Sequence, residues 1–173
     1  MSPEDELVEL ARHREAATED ALLGMILDAP HSLRRQVREY LRRQVDYRRI
    51  KRPDEGIPQL ETIPGGINEL TCPSVDFLSD ARLDFKIQFE ENQRGWFVKQ
   101  FQFHVPAPRS IRMVRIHLNA ATVRDPLAVP RCHMHVDGKA HVPFPIMNPR
   151  LILYLICEHI EPDFGVRKSP AAQ

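Results

Sequence analysis

The sequence has little of what would assign a small protein to a class quickly. Only three cysteines occur, Cys72, Cys132 and Cys157, and no two of them form a CxxC pair. An odd number at wide spacing argues against a disulfide scaffold and against zinc-finger ligands, and it is the cysteine usage expected in a reducing cytoplasm. No 18 consecutive apolar residues occur, so neither a spanning helix nor a membrane partner is expected. The first 28 residues open acidic and lack a continuous apolar run, unlike a secretory signal. Net charge is absent as well, with 24 Lys and Arg against 24 Asp and Glu. The broadly basic surface on which affinity for phosphates usually rests is therefore missing. These absences lead to the expectation of a soluble cytoplasmic protein whose 173 residues can bury a substantial core.

The charges that are present are unevenly placed. Residues 1–28 hold eight acids against two arginines, whereas residues 31–52 hold nine bases, including Arg34, Arg35, Arg38, Arg42 and Arg43, against Glu39 and Asp46. Either the two segments pack beside each other or the basic one meets an acidic partner. A solvated or partner-facing helix surface is the commoner use of such an arginine run. A nucleic-acid track is the sharper one.

Periodicity divides the chain into an α+β protein. Residues 4–27 have helical spacing, ended by Ala29-Pro30, and Leu33, Val37, Tyr40, Leu41 and Val45 form one apolar stripe on a second, basic helix with Ser32 as N-cap. Together they predict an N-terminal helical hairpin over 1–52. Residues 53–76 carry four prolines and three glycines and read as a connector with at most one short strand. The α+β core is expected over 77–165, with a flexible tail over 166–173. From Arg82 the period becomes two: Leu83, Phe85, Ile87 and Phe89 alternate with Asp84, Lys86, Gln88 and Glu90. After a turn at "ENQRG", Phe97, Phe101, Phe103 and Val105 fall on one side, with Val98, Gln100, Gln102 and His104 on the other. Further strands follow at 111–118 and 131–136, and an Asp137-Gly138 turn can fold the chain back on "KAHVPFP". Asn148-Pro149 is a well-formed start for a closing helix. The architecture expected is a four- to five-stranded antiparallel meander with this C-terminal helix packed on the sheet.

The wet face of that meander carries the chemistry. If consecutive strands pair in order, Gln100, Gln102, His104, Arg115, His117, Arg131, His133 and His135 share one surface. Residues i and i+2 of a strand point the same way about 7 Å apart, so His133 and His135 form a pair that His117 or His104 can extend. Three imidazoles and a water make a competent zinc site, although an HxH pair occurs often by chance. Metal-free phosphodiester cleavage is the second reading and needs no cofactor. His133 and His135 would move protons, Arg115 and Arg131 would hold developing charge, His104 or His117 would position the reacting groups, and the basic helix would grip an RNA backbone. The third is a solvated or subunit-binding face, since His, Gln and Arg are ordinary there. Cys132 and Cys157 sit at apolar-face positions and read as core thiols.

The order of "FQFH" at 101–104, "RIHLN" at 115–119 and "PRCHMH" at 130–135, followed by a short strand, a proline and a closing helix, resembles the TumE-type proteins of bacterial toxin-antitoxin operons. The likeness covers residues 82–160 and implies a toxin-like protein acting on RNA and held by a partner antitoxin; the residue pattern alone leaves a complex subunit as the other candidate partner. It carries over to Arg115, Asn119, His133 and His135, while His117 stands where the family has an acidic residue. A resemblance in fold only, to ubiquitin-conjugating enzymes, rests on the N-terminal helix, the meander, the "DG" turn and the final helix. There "DGKAHVP" places His141 near the position of the conjugating cysteine, which argues against that activity.

Overall fold

In the computed structural model, residues 29–47, 50–51, 58–78, 81–93, 95–106, 113–119, 131–136 and 141–160 are described, together with Glu9 and His13. The expected first helix, the Asp137-Gly138 turn and the tail lie outside them.

The basic stripe forms helix α1, Pro30–Asp46. Its N-cap is Ala29 and not Ser32: Pro30 takes the first helical position, where its missing N–H costs nothing, and the break expected at Ala29-Pro30 is the start of this helix. Leu33, Val37, Leu41 and Gln44 are its buried stripe. No described helix is long and apolar enough to cross a membrane.

Seven strands follow: β1 Gln59–Ile63, β2 Ile67–Asp76, β3 Arg82–Asn92, β4 Gly95–Pro106, β5 Met113–Leu118, β6 Cys132–Val136 and β7 Val142–Pro143. They pair antiparallel in sequence order as one sheet, so the four to five strands expected become seven among the described residues. The supposed connector supplies two of them. Its Pro64-Gly65-Gly66 is a hairpin turn, with both glycines at positive φ (+93° and +77°), joining β1 to β2 at Ile63 and Ile67.

The β3–β4 hairpin carries one extra residue. Phe89 pairs with Val98 but Gln88 pairs with Gln100, so Lys99 is a bulge and the alternation of β4 reverses there. Val98 is consequently in the core with Phe101, Phe103 and Val105, whereas Phe97, expected on the core side, is half-buried.

The chain closes with α2, Pro149–Leu155, and a π-helical turn, Ile156–Ile160. Its start is as the sequence indicates: the Arg150 N–H donates to the Asn148 side-chain oxygen at 3.0 Å, and Pro149 takes the first helical position. Ile152, Leu153, Ile156 and Cys157 join Leu33, Val37 and Leu41 in one core with Phe85, Phe103, Ile116, Leu118 and Cys132. Both helices therefore cover the same face of the sheet. Tyr40 Oη and Gln44 Nε2 donate to Glu158 at 3.2 and 3.1 Å, tying α1 to the π-turn. Burial pushes the Cys72 and Cys132 thiols up to about 12, and all three cysteines are buried, which suits core packing and not a nucleophile. The opposite face of the sheet has no helix among the described residues, and it carries the polar rows.

Candidate functional site

Strand register builds the site. Asp84 on β3 pairs with His104 on β4, His104 with Arg115 on β5, and Arg115 with His135 on β6. The adjacent row runs Lys86, Gln102, His117, His133 and Pro143 through the same strands to β7. Directly paired residues stand about 5 Å apart and i, i+2 neighbours about 7 Å, so two such rows bring four imidazoles and an arginine within mutual reach. Without the Lys99 bulge Asp84 would meet Phe103, and the bulge is what sets it opposite His104.

The rings pack against one another. His117 lies 5.4 Å from both His133 and His135 between centroids, and His133 lies 4.9 Å from His135, all close to edge-on. One nitrogen from each of His117, His133 and His135 falls within 4.8 Å of the other two. His141, separated from the pair by a turn in the sequence, returns just before β7 with its ring 4.9 Å from His133 and 4.3 Å from His135. His133 is only 2% exposed, whereas Arg115 and His141 are exposed.

A line of polar contacts leads into the cluster from β3. Asp84 Oδ1 is 3.3 Å from His104 Nδ1, and His104 Nε2 is 3.0 Å from His117 Nε2. Burial lowers the pKa of His104, against the pull of Asp84, and it raises that of Asp84 against the pull of His104 and Arg115. His117 is pushed down to about 4, chiefly by burial and then by the neighbouring imidazoles and Arg115. His135 is lowered by burial, then by His141 and His133. His104, His117 and His135 are therefore neutral at pH 7. Asp84 faces His104 Nδ1 at ion-pair distance, and a single hydrogen joins the facing Nε2 atoms of His104 and His117, its donor set by the tautomer.

Other expected site residues lie elsewhere. Arg131 is buried just before β6 with its Nε donating to the Asn119 carbonyl at 3.1 Å, where it braces the end of the β5–β6 pair. Arg34 donates to the Pro58 carbonyl at 2.8 Å, Arg43 pairs with Glu39 at 3.1 Å, and Arg35, Arg38 and Arg42 are exposed on α1. Since α1 covers the core face, its arginines do not share a surface with the histidines. Sequence reading put Asp84 on the wet face without a role and left His141 aside; the "DG" turn was the available signal for His141. Beside the cluster, a groove of about 290 Å³ is lined by Lys86, Gln88, Gln100, Gln102, His117 and Asn119.

No protein-family model, curated protein or solved structure matches the chain.

Proposed function

We propose that this sheet face binds and cleaves RNA, in a toxin-like or defence-associated protein controlled by a partner protein. The observation that carries the reading is the convergence of His117, His133 and His135 within 4.8 Å beside the exposed Arg115. A neutral imidazole takes the proton of a ribose 2'-hydroxyl while that oxygen bonds to phosphorus. The bond from phosphorus to the 5'-oxygen breaks, and the leaving oxygen takes up a proton from solvent. A 2',3'-cyclic phosphate and a 5'-hydroxyl result. The Arg115 guanidinium, one row position from His135, meets the charge that develops on the phosphoryl oxygens. Asp84 and His104 act through His117 by fixing its tautomer. The resemblance to TumE-type proteins supports the same reading, because the positions it covers, Arg115, His133 and His135, fall in the cluster, with Asn119 at the end of β5.

The test is incubation of the full chain with end-labelled single-stranded RNA. Arg115→Ala is expected to slow cleavage by about 100- to 1,000-fold with little change in melting temperature, as for loss of a charge-stabilising donor. Cleavage that persists at the wild-type rate in that variant would overturn the assignment.

A non-catalytic subunit or adaptor is the second reading, and the helix layer favours it. Leu151 (56% exposed) and Tyr154 (49%) border a cleft of about 500 Å³ between α1 and α2, beside Arg43 and Glu39. Exposed apolar side chains rimmed by charge are a common anchor for protein partners. Reversing Arg35, Arg42 and Arg43 to Glu is expected to release a co-purifying partner while the circular dichroism of the isolated chain is unchanged; a complex that survives all three changes would sink this reading.

A further inference from the structure

We infer that His117, His133 and His135 form a zinc site whose fourth position opens toward Arg115 and His141. The inference rests on the reading above for the RNA substrate and replaces its free imidazole base: with the three ring nitrogens bound to zinc, the exposed His141 beside them is the imidazole left to take the 2'-hydroxyl proton.

Geometry comes first. Three Zn–N bonds of about 2.0–2.1 Å in a tetrahedral arrangement set the nitrogens about 3.3 Å apart. The three donors already lie within 4.8 Å of one another, and imidazole rotation of about 1.5 Å at the nitrogen closes the rest. The three come from two adjacent strands with fixed register, His117 directly opposite His133 and His135 two residues on, so the backbone holds them before any cation arrives.

The donor set selects the metal. Three neutral nitrogens suit zinc and its neighbours, whereas magnesium and calcium prefer oxygen. The only carboxylate in the described network, Asp84, is one residue removed from the donors: it faces His104 Nδ1, and His104 Nε2 faces His117 Nε2. Metal-bound histidines usually carry such a partner on the ring nitrogen that does not bind, which fixes the tautomer and raises ligand basicity. The line Asp84, His104, His117 supplies such a partner to one ring nitrogen of His117 and leaves the other for the cation.

Accessibility sets the class. His133 is 2% exposed, His135 is half-buried, and His141 and Arg115 are exposed on the same side. Cys132, the nearest cysteine in sequence, points into the core on the other face and cannot complete a closed site. Three protein ligands and one open position are the arrangement of catalytic and not structural zinc. A cation there stabilises the leaving 5'-oxygen directly, a role for which the cofactor-free scheme had no assigned group.

The experiment strips the full chain with a chelator, dialyses it, and titrates Zn²⁺ against a chelating dye, with Co²⁺ absorption as the geometric probe. One equivalent of zinc and the intense visible bands of four-coordinate cobalt are expected. His135→Ala should weaken zinc at least about 100-fold and His104→Ala about 10- to 100-fold, while His31→Ala, outside the site, leaves it unchanged. If His133→Ala fails to fold, His135→Ala carries the test, and His135→Cys should restore binding because a thiolate is also a zinc ligand. Less than about a tenth of an equivalent bound by the reconstituted chain, or wild-type affinity in His135→Ala, overturns the site. Zinc bound without RNA cleavage keeps the site and removes the ribonuclease reading. Cleavage that survives complete chelation removes zinc from the reaction and keeps the ribonuclease, and the site then stands or falls on the titration.

Discussion

Phe103→Ala is expected to destabilise the fold by about 3–5 kcal/mol, measured as a shift in the urea midpoint at unchanged slope. Phe103 is 1% exposed in the middle of β4, directly between Phe85 on β3 and Ile116 on β5. Its ring stacks on Phe85 at 5.3 Å and meets Phe101 edge-on at 5.8 Å. Truncation removes the transfer free energy of a whole ring, opens a cavity against the helix layer, and breaks two aromatic pairs worth about 0.5–1.5 kcal/mol each. Neighbouring strands cannot collapse into the gap, because their spacing is fixed by the ladders on both sides. Domains of this size have about 5–15 kcal/mol in hand, so the variant is expected to be partly unfolded at 37 °C. A loss below about 1 kcal/mol would mean that β4 is not the central strand of the core.

The same residue shows how far sequence alone carries. Alternation from Leu83 to Phe89 and from Phe101 to Val105 marks both faces of β3 and β4 correctly, because one face is buried and a period of two leaves no other solution. Cys132 turns to the helix-covered face and His133 to the opposite one for the same reason, but His133 is buried there at 2% exposure and not wet as its alternation suggests. The Asn148-Pro149 helix start is legible because two residue types with separate causes coincide. Alternation does not reveal a bulge. Lys99 adds one residue that no pattern announces, and it moves Val98 into the core and Asp84 opposite His104. The strands β1 and β2 were hidden by their own punctuation: Pro64, Gly65 and Gly66 make a hairpin turn, and the register shifts between Cys72 and Val75 around Pro73. His141 joins the cluster only because β7 pairs back on β6, a tertiary fact two residues long.

His133→Phe separates a site that was built for chemistry from a histidine that merely packs. At 2% exposure and within 5.4 Å of three other imidazole centroids, His133 occupies a position that a ring of similar volume can fill. Removing one partner of a buried polar contact costs about 1–3 kcal/mol, and the phenylalanine ring refills the volume. In metal-free protein the variant is therefore expected to lose no more than about 3 kcal/mol relative to wild type. RNA cleavage should nevertheless fall by about 100- to 10,000-fold, the usual contribution of a positioned proton carrier or ligand. Zinc adds a second discriminating reading. At 100 times its dissociation constant it should raise wild-type stability by about 2.7 kcal/mol and leave His133→Phe unmoved, since binding to the native state alone is what produces the shift. A variant that loses several kcal/mol without metal, and whose zinc response matches wild type, would assign His133 to packing. Retained folding with lost cleavage and lost zinc response would mean that the sequence keeps an imidazole here for what it binds, at a position where the core would accept phenylalanine.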